Sequence, residues 1–251
     1  MKKNIEEQGV KEGKKENKKK REKRRKRITE VNQRIRTIRK ILVIMLIFLL
    51  VIYFVLRVVY QTGRFTVVLD NASNMKGALV MYEKKDEKYT RKTLYADSKD
   101  FITNISGDWI PENIYDEADG AHNGDNYIAY TFYLENEGDE RIHYWYRIVS
   151  DDVIRNVDKA IRVAVYINDK KEVYAKANSK TSKPEEGTVA FREDEDNGIV
   201  LQKRADFNSH DIDKITVVIW VEGDDPDCID DLIGGEMKMH MVITEEHIKQ
   251  D

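Results

Sequence analysis

The stretch ILVIMLIFLLVIYFVLRVVY, from Ile41 to Tyr60, constrains this chain more than any other. Its first sixteen residues are all apolar or aromatic, and Arg57 interrupts only near the far end. At about 1.5 Å per residue, twenty helical residues reach roughly 30 Å, the thickness of a bilayer's hydrocarbon core. An arginine one turn from the end can extend its head to the lipid headgroups. The run follows Arg39 and Lys40, and RVVYQTGRF after it offers no small-x-small cleavage site. The expectation is therefore an uncleaved transmembrane helix over 41–60 rather than a buried core helix or a removed signal peptide.

Charge divides the chain at the same place. Residues 1–40 hold 18 Lys/Arg against 6 Asp/Glu, whereas the remainder holds 25 against 40. Basic residues before a span favour the cytoplasmic side, which puts the N-terminus inside and everything beyond residue 60 outside. The tail KEGKKENKKKREKRRKR (11–27) has too few apolar groups for a core, and its charge suits contact with anionic lipid. No aromatic residue lies among these bases to stack on nucleobases, so nucleic acid is not an expected partner. Ile28, Val31, Ile35, Ile38 and Leu42 follow 3-4-3-4 spacing. That spacing predicts a short helix over 28–40 with a seam through which two copies could dimerise.

Beyond residue 64 the period changes to two. RFTVVLD (64–70) and ALVMYEK (78–84) read as strands. Ile128, Tyr130, Phe132 and Leu134 share one face of NYIAYTFYLEN; Ile142, Tyr144, Tyr146 and Ile148 share one face of RIHYWYRIV. The intervening NEGDE reads as a turn, making these two a hairpin. Ile161, Val163, Val165 and Ile167 alternate before the turn NDKK. So do Ile215, Val217, Ile219 and Val221, and Met237, Met239, Met241 and Ile243. The expected fold is mainly β: a transmembrane helix followed by an antiparallel β-sandwich or jelly-roll domain over 64–251. Residues 85–125 and 177–213 show no clear period, and SKTSKPEEG and REDEDNG read as polar surface loops.

Catalytic motifs are absent: no HExxH, GxSxG, P-loop or GxGxxG occurs. His122, His143, His210, His240 and His247 are scattered. A metal-dependent hydrolase would need some of them to converge with carboxylates. Cys228 is the single cysteine, so no intrachain disulfide forms. It lies among acids that raise a thiol's pKa, which argues against a nucleophile. Those acids, Glu222, Asp224, Asp225, Asp227, Asp230 and Asp231, fall between the last two strands. DPDCIDDLIGG has the marks of one short helix, with Pro226 in its first turn, acids at its N-terminus and Gly234-Gly235 ending it. No cofactor is required by that reading, but Asp224, Asp225, Asp227 and Asp230 are calcium-ligand candidates, since hard cations take several converging oxygens. The triplets Asn71–Ser73 and Asn104–Ser106 match glycosylation acceptors by chance spacing.

Two segments carry a resemblance. YIAYTFYLENEGDERIHYWYRI (127–148) and VVIWVEGDDPDCIDDLIGGEMKMHMVI (217–243) resemble TasA/camelysin-like surface proteins of Gram-positive bacteria. There an early YTFYLxNxG-type hairpin and a closing IWxEGxDPxC…GG segment belong to a jelly-roll domain. The resemblance implies an extracellular structural or adhesive β-domain, sometimes filament-forming. Camelysin is assigned metalloprotease activity, for which this chain has no recognised ligand motif. It also departs from the family's cleaved signal peptide by its basic tail and uncleaved span. The expected role is non-enzymatic: a membrane-tethered external domain that binds a protein or envelope polymer, or a surface scaffold. A signalling or assembly component acting through the tail is the alternative.

Overall fold

A computed structural model describes residues 34–55, 65–70, 78–97, 99, 102–193 and 197–247. The tail reading at 11–27, Ile28 and Val31 of the seam, the span's last residues 56–60 and the triplet at Asn71 lie outside them. The chain divides into two units between Thr62 and Gly63.

In the first unit one helix, α1, runs over Arg34–Val55, 22 residues, and its apolar stretch is exposed among the described residues. No Gly or Pro interrupts it. The described parts of the predicted juxtamembrane helix and of the predicted span, 34–40 and 41–55, are thus one continuous element. At about 1.5 Å per residue it is roughly 33 Å long, enough to cross a bilayer by length and composition.

The second unit is a sandwich of two sheets. The strands are β1 (Thr66–Asp70), β2 (Leu79–Tyr82), β3 (Thr93–Tyr95), β4 (Gly120–Ala121), β5 (Tyr127–Asn136) and β6 (Ile142–Ile154). They continue as β7 (Ile161–Ile167), β8 (Lys170–Ala175), β9 (Val189–Ala190), β10 (Gly198–Phe207), β11 (Ile212–Val221) and β12 (Glu236–His247). One sheet has the order β10-β6-β12-β1-β3 and the other β2-β5-β11-β7-β8-β9, with β4 beside β5. The period-two faces read from the sequence are the inner faces: Tyr130, Phe132 and Leu134 meet Tyr144, Tyr146 and Ile148 in one core with Val163, Val217, Met241 and Ile243.

Two expectations are corrected. β5 and β6 are not a hairpin; each pairs within a different sheet, and NEGDE carries the chain between them. The faces were right, but alternation alone cannot distinguish a strand's neighbour across a turn from one across the core. The sandwich is not wholly antiparallel, because β1 runs parallel to β12 and β8 parallel to β9. The region 85–125, without a clear period in the sequence, also contributes to packing. Ile105, Ile110 and Ile114 cover the outer face of the second sheet, packing on Ala129, Ala164, Tyr166, Val218 and Trp220. This second layer explains why β7 is buried at six consecutive positions rather than at alternate ones.

The NDKK turn behaves as expected. β7 and β8 form a two-residue hairpin in which Ile167 pairs with Lys170 and Asn168 takes φ +58°.

Candidate functional site: a clasp of acids at one corner of the sandwich

The acidic stretch connects β11 in one sheet to β12 in the other, so it forms a corner. Its entry is fixed by the covering layer. Ile105 N–H donates to Val221 O at 3.0 Å and Gly223 N–H to Ile105 O at 2.8 Å. Glu222 Oε2 accepts from Gly107 N–H at 3.1 Å and from the Trp220 indole at 3.0 Å. A methyl group on Gly107 would approach Trp220 and Glu222 at 3.1 Å, which accounts for glycine there.

Asp225 and Arg162 form the centre. Arg162 Nη2 donates to Asp225 Oδ2 at 2.6 Å, with side chains only 6% and 0% exposed. Arg162 stands opposite Trp220 in the β7–β11 register, on the covered face. The other oxygen, Asp225 Oδ1, accepts from Asp227 N–H at 2.7 Å, closing a tight turn around Pro226. Asp227 then reaches a separate loop, accepting from Ser179 N–H at 2.8 Å and from the Ser179 hydroxyl. Those two bonds hold the Asp227 carboxyl below its usual pKa.

The exit is a 3₁₀ turn, Asp230–Leu232, rather than the single helix expected over DPDCIDDLIGG. Gly234 at φ +73° and Gly235 end it. A Cβ on Gly235 would come within 2.7 Å of Val157 and 2.9 Å of Leu232 O. Cys228 is half-buried; burial, then the charge of Asp225, pushes its thiol pKa up. It is a poor nucleophile at neutral pH.

The four calcium candidates do not meet as a set. Asp224 is exposed and its N–H donates to Glu222 Oε1 at 3.2 Å; Asp230 is exposed in the 3₁₀ turn. Asp225 and Asp227 do come together, joined by Glu185, with one oxygen of each within 4.8 Å of the others. Glu185 was hidden in the loop SKTSKPEEG, and its Oε1 is buried without a hydrogen-bond donor. The sequence marks this stretch only as a polar loop. In the structure Thr188 N–H donates to Glu185 O at 3.1 Å with Gly187 at φ +71°, and this turn meets a corner some forty residues later. Metal–oxygen distances of about 2.3–2.6 Å allow ligating oxygens up to roughly 5 Å apart, so these three oxygens have the spacing a hard cation accepts. Arg162 already neutralises one of the three carboxylates.

Three of the histidines are engaged separately. The His122 ring lies between Gly120 O at 3.0 Å and Ile114 O at 3.2 Å. His143 Nδ1 accepts from Asp206 N–H at 3.0 Å, and His240 Nδ1 lies 2.8 Å from Asp151. Among the described residues, the acid and histidine side chains close enough to share one ion include no histidine.

No protein-family model matches the chain, and no curated protein matches it. Among solved structures it is similar to a beta-glucosidase from Kluyveromyces marxianus in complex with glucose, at 12% identity and a TM-score of 0.24. That alignment covers 72% of this chain and 18% of the enzyme. The Se-Met labelled form of the same enzyme gives 12% identity, a TM-score of 0.25, and 75% and 19% coverage. The chain thus spans about a fifth of the length of that enzyme. Scores this low define neither a shared fold nor a shared activity.

Proposed function

We propose that this chain is a single-pass membrane protein with its N-terminus in the cytoplasm. Its sandwich, outside the membrane, has a non-enzymatic binding or scaffold role towards a protein or an envelope polymer. The observation that carries the reading is α1, in which every residue from Ile41 to Val55 is apolar or aromatic and exposed among the described residues. Such a surface is covered by lipid or by a second apolar helix. The 18 basic against 6 acidic residues in positions 1–40 support that orientation. The clasp supports a structural rather than a catalytic use of the acids, because Asp225 and Asp227 spend their oxygens on Arg162, on Ser179 and on their own turn.

The test is protease protection in sealed membrane vesicles of known sidedness, after alkaline carbonate extraction. The expected result is that the chain stays in the carbonate pellet and the sandwich is digested only from the outer face. Release into the carbonate supernatant, or digestion only from the cytoplasmic face, overturns the reading. Deleting residues 1–27 while keeping the basic residues 34–40 separates the scaffold role from signalling through the tail. The scaffold role survives that deletion.

A further inference from the structure

Between Glu30 and Asp70 the chain carries no acid, so the bases in the first two turns of α1 have no carboxylate close to them in sequence. These bases are Arg34, Arg36, Arg39 and Lys40, all of them exposed. At about 100° per residue, Arg36, Arg39 and Lys40 fall within one arc of about 100°, and Arg34 lies nearly opposite it. Ile35, Ile38 and Leu42, 45%, 55% and 53% exposed, occupy a separate arc of about 60°. The helix therefore presents a basic face and an apolar face side by side at one height. Further along the basic face, Val43, Ile47, Leu50 and Phe54 continue as an exposed apolar stripe.

Height, chemistry and arrangement identify what this face takes. Lys40 directly precedes the apolar stretch, and Arg36 lies about 6 Å before Lys40 along the axis. A leaflet's headgroup layer is about 5–8 Å deep. With Ile41 at the hydrocarbon boundary, all three cations stand at the level of the lipid phosphates. Each guanidinium can fork onto two phosphate oxygens, and the ammonium adds a point charge. The stripe of Val43, Ile47, Leu50 and Phe54 below them suits an acyl chain, which a free phosphate lacks. Fixing the orientation of a span needs only enough bases on one side of it. It does not need those bases to share a face, nor that face to continue into an apolar stripe.

We infer that Arg36, Arg39 and Lys40 form a docking site for one phospholipid with a net negative headgroup, its phosphate held among the three cations and an acyl chain laid along Val43, Ile47, Leu50 and Phe54. The inference rests on α1 being a membrane span, and it names the class of lipid that the span takes.

The experiment is native mass spectrometry of the full chain, released from a neutral detergent that holds equal amounts of phosphatidylglycerol and phosphatidylcholine. The ammonium acetate is concentrated enough to screen the diffuse charge of the tail. One phosphatidylglycerol should stay bound per chain, preferred over phosphatidylcholine by about tenfold or more. Ile38→Arg/Arg39→Ile keeps the composition and the net charge but splits the bases between two faces. It should reduce the preference about fivefold, the share of one base at a charged lipid surface. Arg34→Gln, which removes a base nearly opposite the face, should leave the preference as it is. An unchanged preference in the rearranged variant, or equal loss in both variants, would reduce the effect to diffuse attraction and overturn the inference. So would displacement of the lipid by excess inorganic phosphate, or a bound lipid with no preference between the two headgroups. Carbonate extraction of the parent membranes separates this inference from the topology. A chain that stays in the pellet without the preference loses only the docking site, whereas release into the supernatant removes the span and the site together.

Discussion

Arg162 and Asp225 show how much one buried pair can decide. With both side chains almost fully buried, removing one partner leaves a charge with no water to accept it. Arg162→Met should cost about 3–5 kcal/mol in urea unfolding, and Arg162→Met/Asp225→Asn should recover much of that. A double variant no better than the single would show that the guanidinium acts through packing rather than charge. Asp227 makes a pH-dependent contribution. Its folded pKa is depressed by Ser179, so its stabilisation is complete above the unfolded value of about 3.9 and is lost as pH falls through the lower folded value. Ser179→Ala should therefore lower the melting temperature at neutral pH, with the gap to wild type closing in strong acid. A gap constant across pH would sever the link to the carboxylate. Glu185 is the converse case, a buried carboxylate oxygen without a donor. Glu185→Gln supplies an amide donor and should raise stability in EDTA by about 1 kcal/mol, or roughly 2–4 °C. A calcium-dependent rise confined to the wild type would make the three acids a metal centre. Identical melts in calcium and EDTA would leave them a clasp.

At the scale of elements, the layer formed by residues 102–121 is what separates this domain from a plain two-sheet sandwich. Its two 3₁₀ turns, Gly107–Trp109 and Ile114–Asp116, are too short to be stable alone. They persist because Ile105, Ile110 and Ile114 bury themselves on the second sheet. Ile114 is fully buried, so Ile114→Ala should cost about 2–5 kcal/mol. It should also bring early hydrogen exchange to the amides of 105–116 while β6 and β12 stay protected. A cost below 1 kcal/mol would mean the layer collapses onto the gap. Much of this architecture is legible from period alone. The inner faces of β5, β6, β7, β11 and β12 follow their alternating residues. β10 does not, because register shifts between Gly198 and Val200 and between Arg204 and Phe207 break its alternation.

For the molecule as a whole, the decisive pairing is the most distant one. β12 lies between β6 and β1, and Thr66 is the register partner of His240. The first sheet therefore cannot close until the chain's last strand arrives. Pairings this remote slow folding, since loop-closure entropy precedes any gain from contact. Removing residues 236–251 should abolish the cooperative melt altogether rather than merely lower its midpoint. A truncated chain with a sharp, lower transition would show that the second sheet and its covering layer fold independently. α1 makes the opposite kind of element, with every backbone hydrogen bond local, so its helicity should survive that truncation.

What the sequence by itself determined was whatever depends on near neighbours: the apolar helix, the strand faces, the NDKK turn and the poor reactivity expected of Cys228. Hydropathy and alternation are local quantities, and they read out local structure. The tertiary structure alone decided which strands pair, that NEGDE crosses between sheets, and that Glu185, Ser179 and Arg162 converge on Asp225 and Asp227. The acids were visible, but their meaning was not. A carboxylate becomes a clasp, a ligand or a solvated charge according to which donors the fold brings to it, and those donors come from β7 and from the loop after β8, far away in the chain.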